Sequence, residues 1–70
     1  MTAIEGLEWV IKAKGKSWHW VGQQCNETPS QIYNRRIMGD LKFEVLKKYL
    51  NALGCDLYIK DRYSPAEWKL

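Results

Sequence analysis

The side chains best suited to forming hydrogen bonds with a polyanion follow Pro29, in a run that also contains two adjacent arginines. The amide of Asn34 can pair with N6 and N7 of adenine, and the hydroxyl of Ser30 can donate to or accept from any base edge. Arg35 and Arg36 can bind phosphate oxygens. The chemistry that this stretch offers is recognition of a nucleic acid.

Residue combinations for catalysis or metal binding are absent from the sequence. His19 is the one histidine, and Cys25 and Cys55 lie far apart and form no CxxC pair, so a zinc site lacks ligands. There is no Ser/His/Asp or Cys/His pairing and no glycine-rich phosphate loop, and 70 residues hardly enclose a substrate pocket. We therefore expect a protein that is not an enzyme, has no metal, cofactor or small-molecule substrate, and keeps both thiols free as small apolar residues.

Charge is distributed unevenly along the chain. The net charge is +3, but residues 9–49 hold eight basic and three acidic side chains and so carry +5. The acidic residues outside this stretch collect at the two ends, at Glu5, Glu8, Asp56, Asp61 and Glu67. A basic centre with acidic flanks is typical of a face that binds a polyanion, although a solvated helix surface would have the same composition.

The length and composition predict one ordinary globular domain. The apolar fraction is 46%, and it includes four Trp and four Tyr, which supply bulky core material for a chain of this length. No apolar run of 18 residues and no signal-peptide pattern occurs, so we expect neither a membrane-spanning nor a secreted chain, and the reducing cytoplasm fits best. We place the domain at residues 1–60 and a C-terminal tail at residues 61–70.

Glycine, asparagine, proline and hydroxyl residues divide the chain into four short amphipathic segments. The predicted helices are residues 3–14, residues 17–25 with Ser17 as the N-cap, residues 28–37 with Thr28 and Pro29 at the start, and residues 42–53. The expected apolar face of the first helix is Ile4, Leu7, Val10 and Ile11, and that of the second is Trp18, Val21, Gly22 and Cys25. The third helix is expected to bury Ile32, and the fourth Phe43, Leu46, Tyr49, Leu50 and Leu53. His19 and Trp20 are predicted to point outward. The fold class is mostly α.

Two features near the C-terminus are less regular. The residues from Asp56 to Lys60 favour a short strand because Tyr58 and Ile59 have high β-propensity. Ser64-Pro65-Ala66-Glu67 has the form of a capping box, so the tail is predicted to hold one helical turn or to fray as a terminus.

The stretch SWHWVGQQCNETPSQIYNRR (residues 17–36) resembles the helix-turn-helix motif of phage-repressor-like (Cro/C1-type, XRE family) regulators. In that family a small residue lies midway along the first motif helix, a left-handed residue makes the turn, a hydroxyl residue caps the recognition helix, and Ile or Val follows four residues later. These positions are occupied by Gly22, Asn26, Thr28 and Ile32. The stretch FEVLKKYLNALGCDLYI (residues 43–59) is similar to the fourth helix and following strand of small bacterial and mobile-element members.

The resemblance covers residues 4–59 and departs from the family pattern at two places. Glu27 stands where an apolar residue is usual, and Arg35 stands where many members have an apolar or aromatic residue. Because Gly22, Asn26, Thr28 and Ile32 hold their spacing, the resemblance still implies a compact four-helix domain of lambda-repressor-like type. It implies sequence-specific binding to double-stranded DNA by a small transcriptional regulator, such as a repressor, of phage or mobile-element type.

Helical spacing and the resemblance together define the expected contacts with DNA. Ile32 points to the core, and the resemblance maps the groove-facing positions onto Thr28, Pro29, Ser30, Tyr33 and Asn34. The expected phosphate contacts are Lys14, Lys16, Ser17, Trp18, Arg35, Arg36 and Lys42, with Ser17 and Trp18 acting through the backbone N–H groups at the start of their helix. The operator sequence cannot be predicted from these residues.

A domain of this size covers too little DNA to bind tightly and specifically alone, so we expect a homodimer. The strand from Asp56 to Lys60 is the predicted dimer element because an unpaired edge can accept a symmetric partner. The tail, or Trp9 and Trp68, could serve instead. The alternative function is a protein-interaction module on the same fold, antitoxin-like or a phage accessory protein, with Trp20, Tyr33 and Trp68 as anchors.

Overall fold

The computed structural model describes residues 1–39 and 41–70, which form four α-helices followed by a small antiparallel sheet. The elements are α1 (Ala3–Ala13), α2 (Trp18–Gln24), α3 (Pro29–Met38), α4 (Phe43–Ala52), β1 (Tyr58–Lys60) and β2 (Glu67–Lys69). The predicted mostly helical fold is confirmed, because each predicted helix is present and its boundaries shift by about one residue. Among the described residues, no helix combines the length and the apolar character needed to cross a bilayer.

Hydroxyl side chains begin three of the helices. The Oγ atoms of Thr2, Ser17 and Thr28 accept hydrogen bonds from the backbone N–H groups of Glu5, Trp20 and Gln31 at 3.2, 3.1 and 3.2 Å. Each bond satisfies one of the N–H groups that a helix leaves without a partner at its start. Helix α3 ends at Gly39, whose φ of 72° lies in the left-handed region that a side chain would disfavour.

The core forms where α1, α2, α3 and α4 meet. Its buried side chains are Ile4, Leu7, Ile11, Val21, Ile32, Tyr49, Leu50 and Leu53, all predicted from the apolar periodicity. Val10, Trp18, Cys25 and Leu46, also expected there, are half-buried and pack against this core. The expectation for Phe43 is wrong, because 47% of its surface is exposed. Phe43 is the first residue of α4, whereas the buried residues of that helix, Tyr49 and Leu50, lie in its second half.

The tail contains a strand instead of the predicted helical turn. Strand β2 pairs antiparallel with β1, with Ile59 opposite Trp68 and Lys60 opposite Glu67. The Ser64 hydroxyl, expected to cap a helix, accepts from the N–H of Ala66 at 3.2 Å and donates to Asp61 Oδ2 at 3.1 Å. These bonds close a tight loop that returns the chain to β1. The local capping pattern is therefore overridden by strand pairing.

Candidate nucleic-acid interface

The turn between α2 and α3 has the close helix contact that its residue types predict. Asn26 makes the turn with a φ of 55°, in the left-handed region. The next N–H, that of Glu27, donates to the Gly22 carbonyl at 2.8 Å. A Cβ atom added to Gly22 would lie 3.0 Å from Ile32 Cγ1 and 3.4 Å from the Glu27 carbonyl oxygen. Helix α3 thus crosses α2 at a distance that requires a small residue at position 22.

Helix α3 turns one apolar residue inward and its polar residues outward. Of its ten residues, Ile32 is the buried one. The structure places the predicted base-contact residues together on the outer side and at the start of α3, where all are exposed: Thr28, Pro29, Ser30, Tyr33 and Asn34. We call these five exposed residues the α3 outer face.

The start of α3 is fixed by a reciprocal pair of hydrogen bonds. While the Thr28 hydroxyl accepts from the Gln31 N–H, Gln31 Oε1 accepts from the Thr28 N–H at 2.8 Å. Thr28 and Gln31 therefore form a capping box. The spacing of Thr28 and Gln31 is the sequence signal that would have identified it.

The predicted phosphate-contact residues divide into exposed and engaged side chains. Lys14, Lys16, Ser17 and Lys42 are exposed. The Lys16 ammonium lies 4.6 Å from the centroid of the Trp20 ring. Trp20 is half-buried and packs against the core, so the expectation that it points outward is wrong. The Lys16 side chain covers the part of the Trp20 ring that the core leaves exposed.

Arg36 lies against α1 and α2. Its Nη2 is 3.6 Å from Glu8 Oε1, and its guanidinium carbon is 5.1 Å from the centroid of the half-buried Trp18 ring. The arginine still exposes 43% of its side chain, so this weak surface pair leaves it available to another anion.

Arg35 takes a different direction, toward the interior. Its Nε donates to Glu27 Oε1 at 2.9 Å, and 33% of its side chain is exposed. This ion pair holds the Arg35 guanidinium beside the core, so the main role of Arg35 is structural. Its position does not support the predicted phosphate contact.

Glu27 is the centre of a polar cluster that the sequence analysis missed. Its side chain is 5% exposed. Besides Arg35, the hydroxyl of Tyr49 donates to Oε1 at 2.8 Å, and Lys48 Nζ lies 2.8 Å from Oε2, the oxygen that accepts no other hydrogen bond. Glu27 follows the turn and Tyr49 lies on α4, so this carboxylate ties three elements together.

The cluster explains both departures from the family pattern that the chain resembles. Glu27 and Arg35, each standing where an apolar residue is usual, are partners in one ion pair. Glu27 is the buried member of this pair, and Arg35 compensates its charge together with Lys48 and the hydroxyl of Tyr49. The coincidence of two such departures eight residues apart is the signal that could have predicted the pair.

Burial and hydrogen bonding shift the pKa values in this cluster. Burial raises the pKa of the Glu27 carboxyl, but hydrogen bonds from Lys48, Tyr49 and Arg35 outweigh burial and leave it below its usual value. The pKa of the Tyr49 phenol is raised above its usual value, first by burial and then by its hydrogen bond to Glu27. The folded chain therefore holds Glu27 ionised and Tyr49 protonated.

We predict that stability falls at both ends of the pH scale because of these two groups. A lowered carboxyl pKa stabilises the folded state above the unfolded value of about 4.3, and this contribution is lost as pH falls. A raised phenol pKa stabilises it below about pH 10, and this contribution is lost as pH rises. Urea unfolding across pH should show that Tyr49→Phe loses part of the alkaline decline. The control is Tyr63→Phe, because Tyr63 is 91% exposed. An unchanged alkaline slope in Tyr49→Phe would contradict the assignment.

A shallow crevice of about 340 Å³ borders the α3 outer face. Trp18, His19, Gly22 and Gln23 line it from α2, and Pro29, Ile32, Tyr33 and Arg36 line it from α3. His19 is exposed, as predicted. Within residues 1–39 and 41–70, no group of His, Cys, Asp and Glu could hold a metal ion, and both cysteines are free. Glu27 completes the lining, so the crevice combines aromatic rings, an amide and a guanidinium with one carboxylate.

Comparisons with protein-family models, curated proteins and solved structures found no match for this chain.

Proposed function

We propose that this chain is a lambda-repressor-like helix-turn-helix protein that binds double-stranded DNA with α3 in the major groove, as a small transcriptional regulator. The observation that carries the proposal is the geometry of α2 and α3. The two helices cross closely at Gly22, the turn is left-handed at Asn26, and α3 buries Ile32 while exposing its polar side. A helix presented in this way has the form that enters a major groove.

The first six residues of α3 and its N-cap carry the proposed base contacts. Asn34 would pair with adenine through its amide, and Ser30 would contact either type of base edge. Pro29 and the Tyr33 ring would contact thymine methyl groups. The Thr28 hydroxyl oxygen accepts the capping hydrogen bond with one lone pair, so its O–H group and its second lone pair would be available to a base.

Basic residues near the α3 outer face would hold the phosphates. Lys16 and Ser17 border the same cleft as Trp18 and Arg36, which places them beside the α2–α3 unit. Lys14 and Lys42 are the other exposed cations of the proposed set. These contacts would fix the position of α3 on the duplex without reading the sequence.

Fluorescence anisotropy with labelled duplexes tests the proposal. Affinity should fall steeply between about 50 and 200 mM salt. Lys16→Ala should weaken binding to all duplexes and lower the slope of log affinity against log salt by about 0.9. The matched control is Lys47→Ala, which removes the same charge from a separate cleft that Lys47 lines together with Lys69 and Leu70. Absence of binding in dilute salt, or equal effects of the two variants, would refute the proposal.

Sequence preference requires a separate measurement. Selection of bound sites from a random duplex library should yield a defined site, and Asn34→Ala should relax the preference at one base pair by about 1–3 kcal/mol. Gln24→Ala, an exposed amide truncation on α2, is the control. If both variants select the same site as the parent chain, Asn34 does not read a base.

A second candidate function rests on exposed apolar residues of α3. Tyr33, Ile37 and Met38 are all largely exposed, and Tyr33 and Ile37 lie one helical turn apart toward the end of α3. Exposed apolar residues of this kind favour a protein partner, as in an antitoxin-like or phage accessory module. Of the three anchors expected for this role, Tyr33 and Trp68 are exposed and Trp20 is half-buried. A chain with this function would show neither duplex binding nor a salt slope.

A further inference from the structure

The two cations of α3 lie on the inward side of the helix. Arg35 and Arg36 follow the buried Ile32 by three and four positions, the spacing that places side chains on one helical face. Their ion pairs agree with this spacing. Arg35 Nε lies 2.9 Å from a carboxylate oxygen of Glu27, and Arg36 Nη2 lies 3.6 Å from one of Glu8. Both guanidinium groups therefore point toward the body of the domain.

The two arginines are fixed in this direction to different degrees. The Glu27 side chain is 5% exposed, so turning Arg35 outward would remove a cation from a buried carboxylate. Arg36 is held more weakly, by an exposed carboxylate on α1 and by the Trp18 ring at 5.1 Å. It also lines a cleft with residues of α1 and of the start of α2. An anion that binds Arg36 would lie at this cleft, which suits a phosphate oxygen and not a base edge.

The five residues of the α3 outer face include no cation. The Asn34 amide combines an acceptor oxygen with N–H donors, which match the N6 donor and N7 acceptor of adenine. The hydroxyls of Thr28 and Ser30 rotate to suit either kind of group. Pro29 and the ring of Tyr33, a residue that is 61% exposed, offer apolar contact to a thymine methyl group. Guanine presents two acceptors, N7 and O6, for which proteins most often use arginine or lysine.

We propose that α3 selects a core of A·T base pairs, because both of its arginines are held away from the base edges. Asn34 reads an adenine, and Tyr33 or Pro29 contacts the methyl group of a thymine beside it. The inference rests on the proposed function and names the class of duplex that this function would select. Binding in the major groove by itself would also allow an arginine to read guanine, and the ion pairs of Arg35 and Arg36 decide against that reading.

The base composition of selected sites is the first test. Duplexes selected from a random library should hold A·T pairs at the position that Asn34→Ala relaxes and at its neighbours. Replacing one of these pairs with G·C should weaken binding of the parent chain by about ten-fold. A selected core that requires G·C pairs would overturn the inference and leave the proposed function standing. Failure to bind any duplex in dilute salt would refute both.

Inosine–cytosine pairs distinguish reading of the major groove from selection of duplex shape. Inosine lacks the N2 amino group of guanine, so an I·C pair resembles A·T in the minor groove but presents the guanine acceptors N7 and O6 in the major groove. Replacing a core A·T pair with I·C should therefore weaken binding as much as replacement with G·C does. If binding tolerates I·C, the A·T preference comes from the shape of the minor groove, and the inference is wrong.

A guanidinium placed on the α3 outer face provides the second test. Asn34→Arg should reverse the preference at one base pair, from A·T to G·C, by about ten-fold. The variant should stay folded, because position 34 is exposed and arginine favours a helix more than asparagine does. Gln24→Arg is the matched control, since it adds the same charge to an exposed position of α2 and should reverse no preference. An unchanged A·T preference in Asn34→Arg, or the same reversal in Gln24→Arg, would contradict the inference.

Discussion

Glu27→Ala is expected to lower the free energy of unfolding by about 3 kcal/mol. The substitution leaves the Tyr49 hydroxyl, in a side chain that is 0% exposed, without its acceptor. It also leaves Arg35 beside the core without its carboxylate. Lys48 contributes little to the loss because 45% of its side chain is exposed and water can replace Glu27. For a domain of this length, about 3 kcal/mol approaches the whole stability.

Urea unfolding at neutral pH measures this effect. Glu44→Ala, which removes an exposed carboxylate from the first turn of α4, is the matched control and should change stability by less than about 0.5 kcal/mol. Glu27→Ala with Tyr49→Phe should recover part of the loss, since no buried hydroxyl then lacks a partner. If Glu27→Ala behaves like Glu44→Ala, the cluster is not a source of stability.

Gly22→Val should destabilise the chain by about 3 kcal/mol and abolish whatever binding depends on α3. The added Cβ alone would lie 3.0 Å from Ile32 Cγ1, and the two methyl groups of valine would extend further into α3. The alternative to unfolding is displacement of α3 from α2, which would move the α3 outer face as a whole.

Two glycine-to-alanine variants distinguish the effect of the α2–α3 crossing on stability from the effect of helix propensity. Replacing a helical glycine with alanine gains about 1 kcal/mol where space allows. Gly6→Ala should show this gain, because its Cβ meets only the flexible Met1 Sδ at 3.6 Å. Gly22→Ala should gain less stability than Gly6→Ala, because the Cβ added at position 22 would require Ile32 to shift. Equal gains in the thermal unfolding of the two variants would show that α2 and α3 do not cross as closely as described.

The features of the fold that depend on residues close together in the chain could be predicted from the sequence. Ser17 and Thr28 cap their helices, Asn26 adopts the left-handed turn, and Gly22 lies against Ile32. Each of these follows from a local preference or from a helix crossing fixed by the spacing. The exposed polar side of α3 follows in turn from the burial of Ile32.

The remaining features depend on contacts between residues distant in the chain. Tyr49 is 22 positions from Glu27, and no local pattern indicates that its hydroxyl reaches that carboxylate. Ser64 matches a helix cap locally, but pairing of β2 with β1 satisfies more backbone groups than one helical turn would. Arg35 is predicted to contact phosphate, but the fold brings its Nε within 2.9 Å of Glu27 Oε1, a contact that only the two paired departures from the family pattern could have indicated.

The carboxylate cluster has a consequence for the mobility of α3. This helix buries one side chain, Ile32, and such limited apolar contact would allow it to detach locally while the rest of the domain stays folded. Glu27 bonds at once to Arg35 on α3 and to Tyr49 on α4, so detachment would also break the hydrogen bond of a fully buried phenol. We therefore expect these bonds to order α3 before it binds a ligand, so that binding costs less conformational entropy.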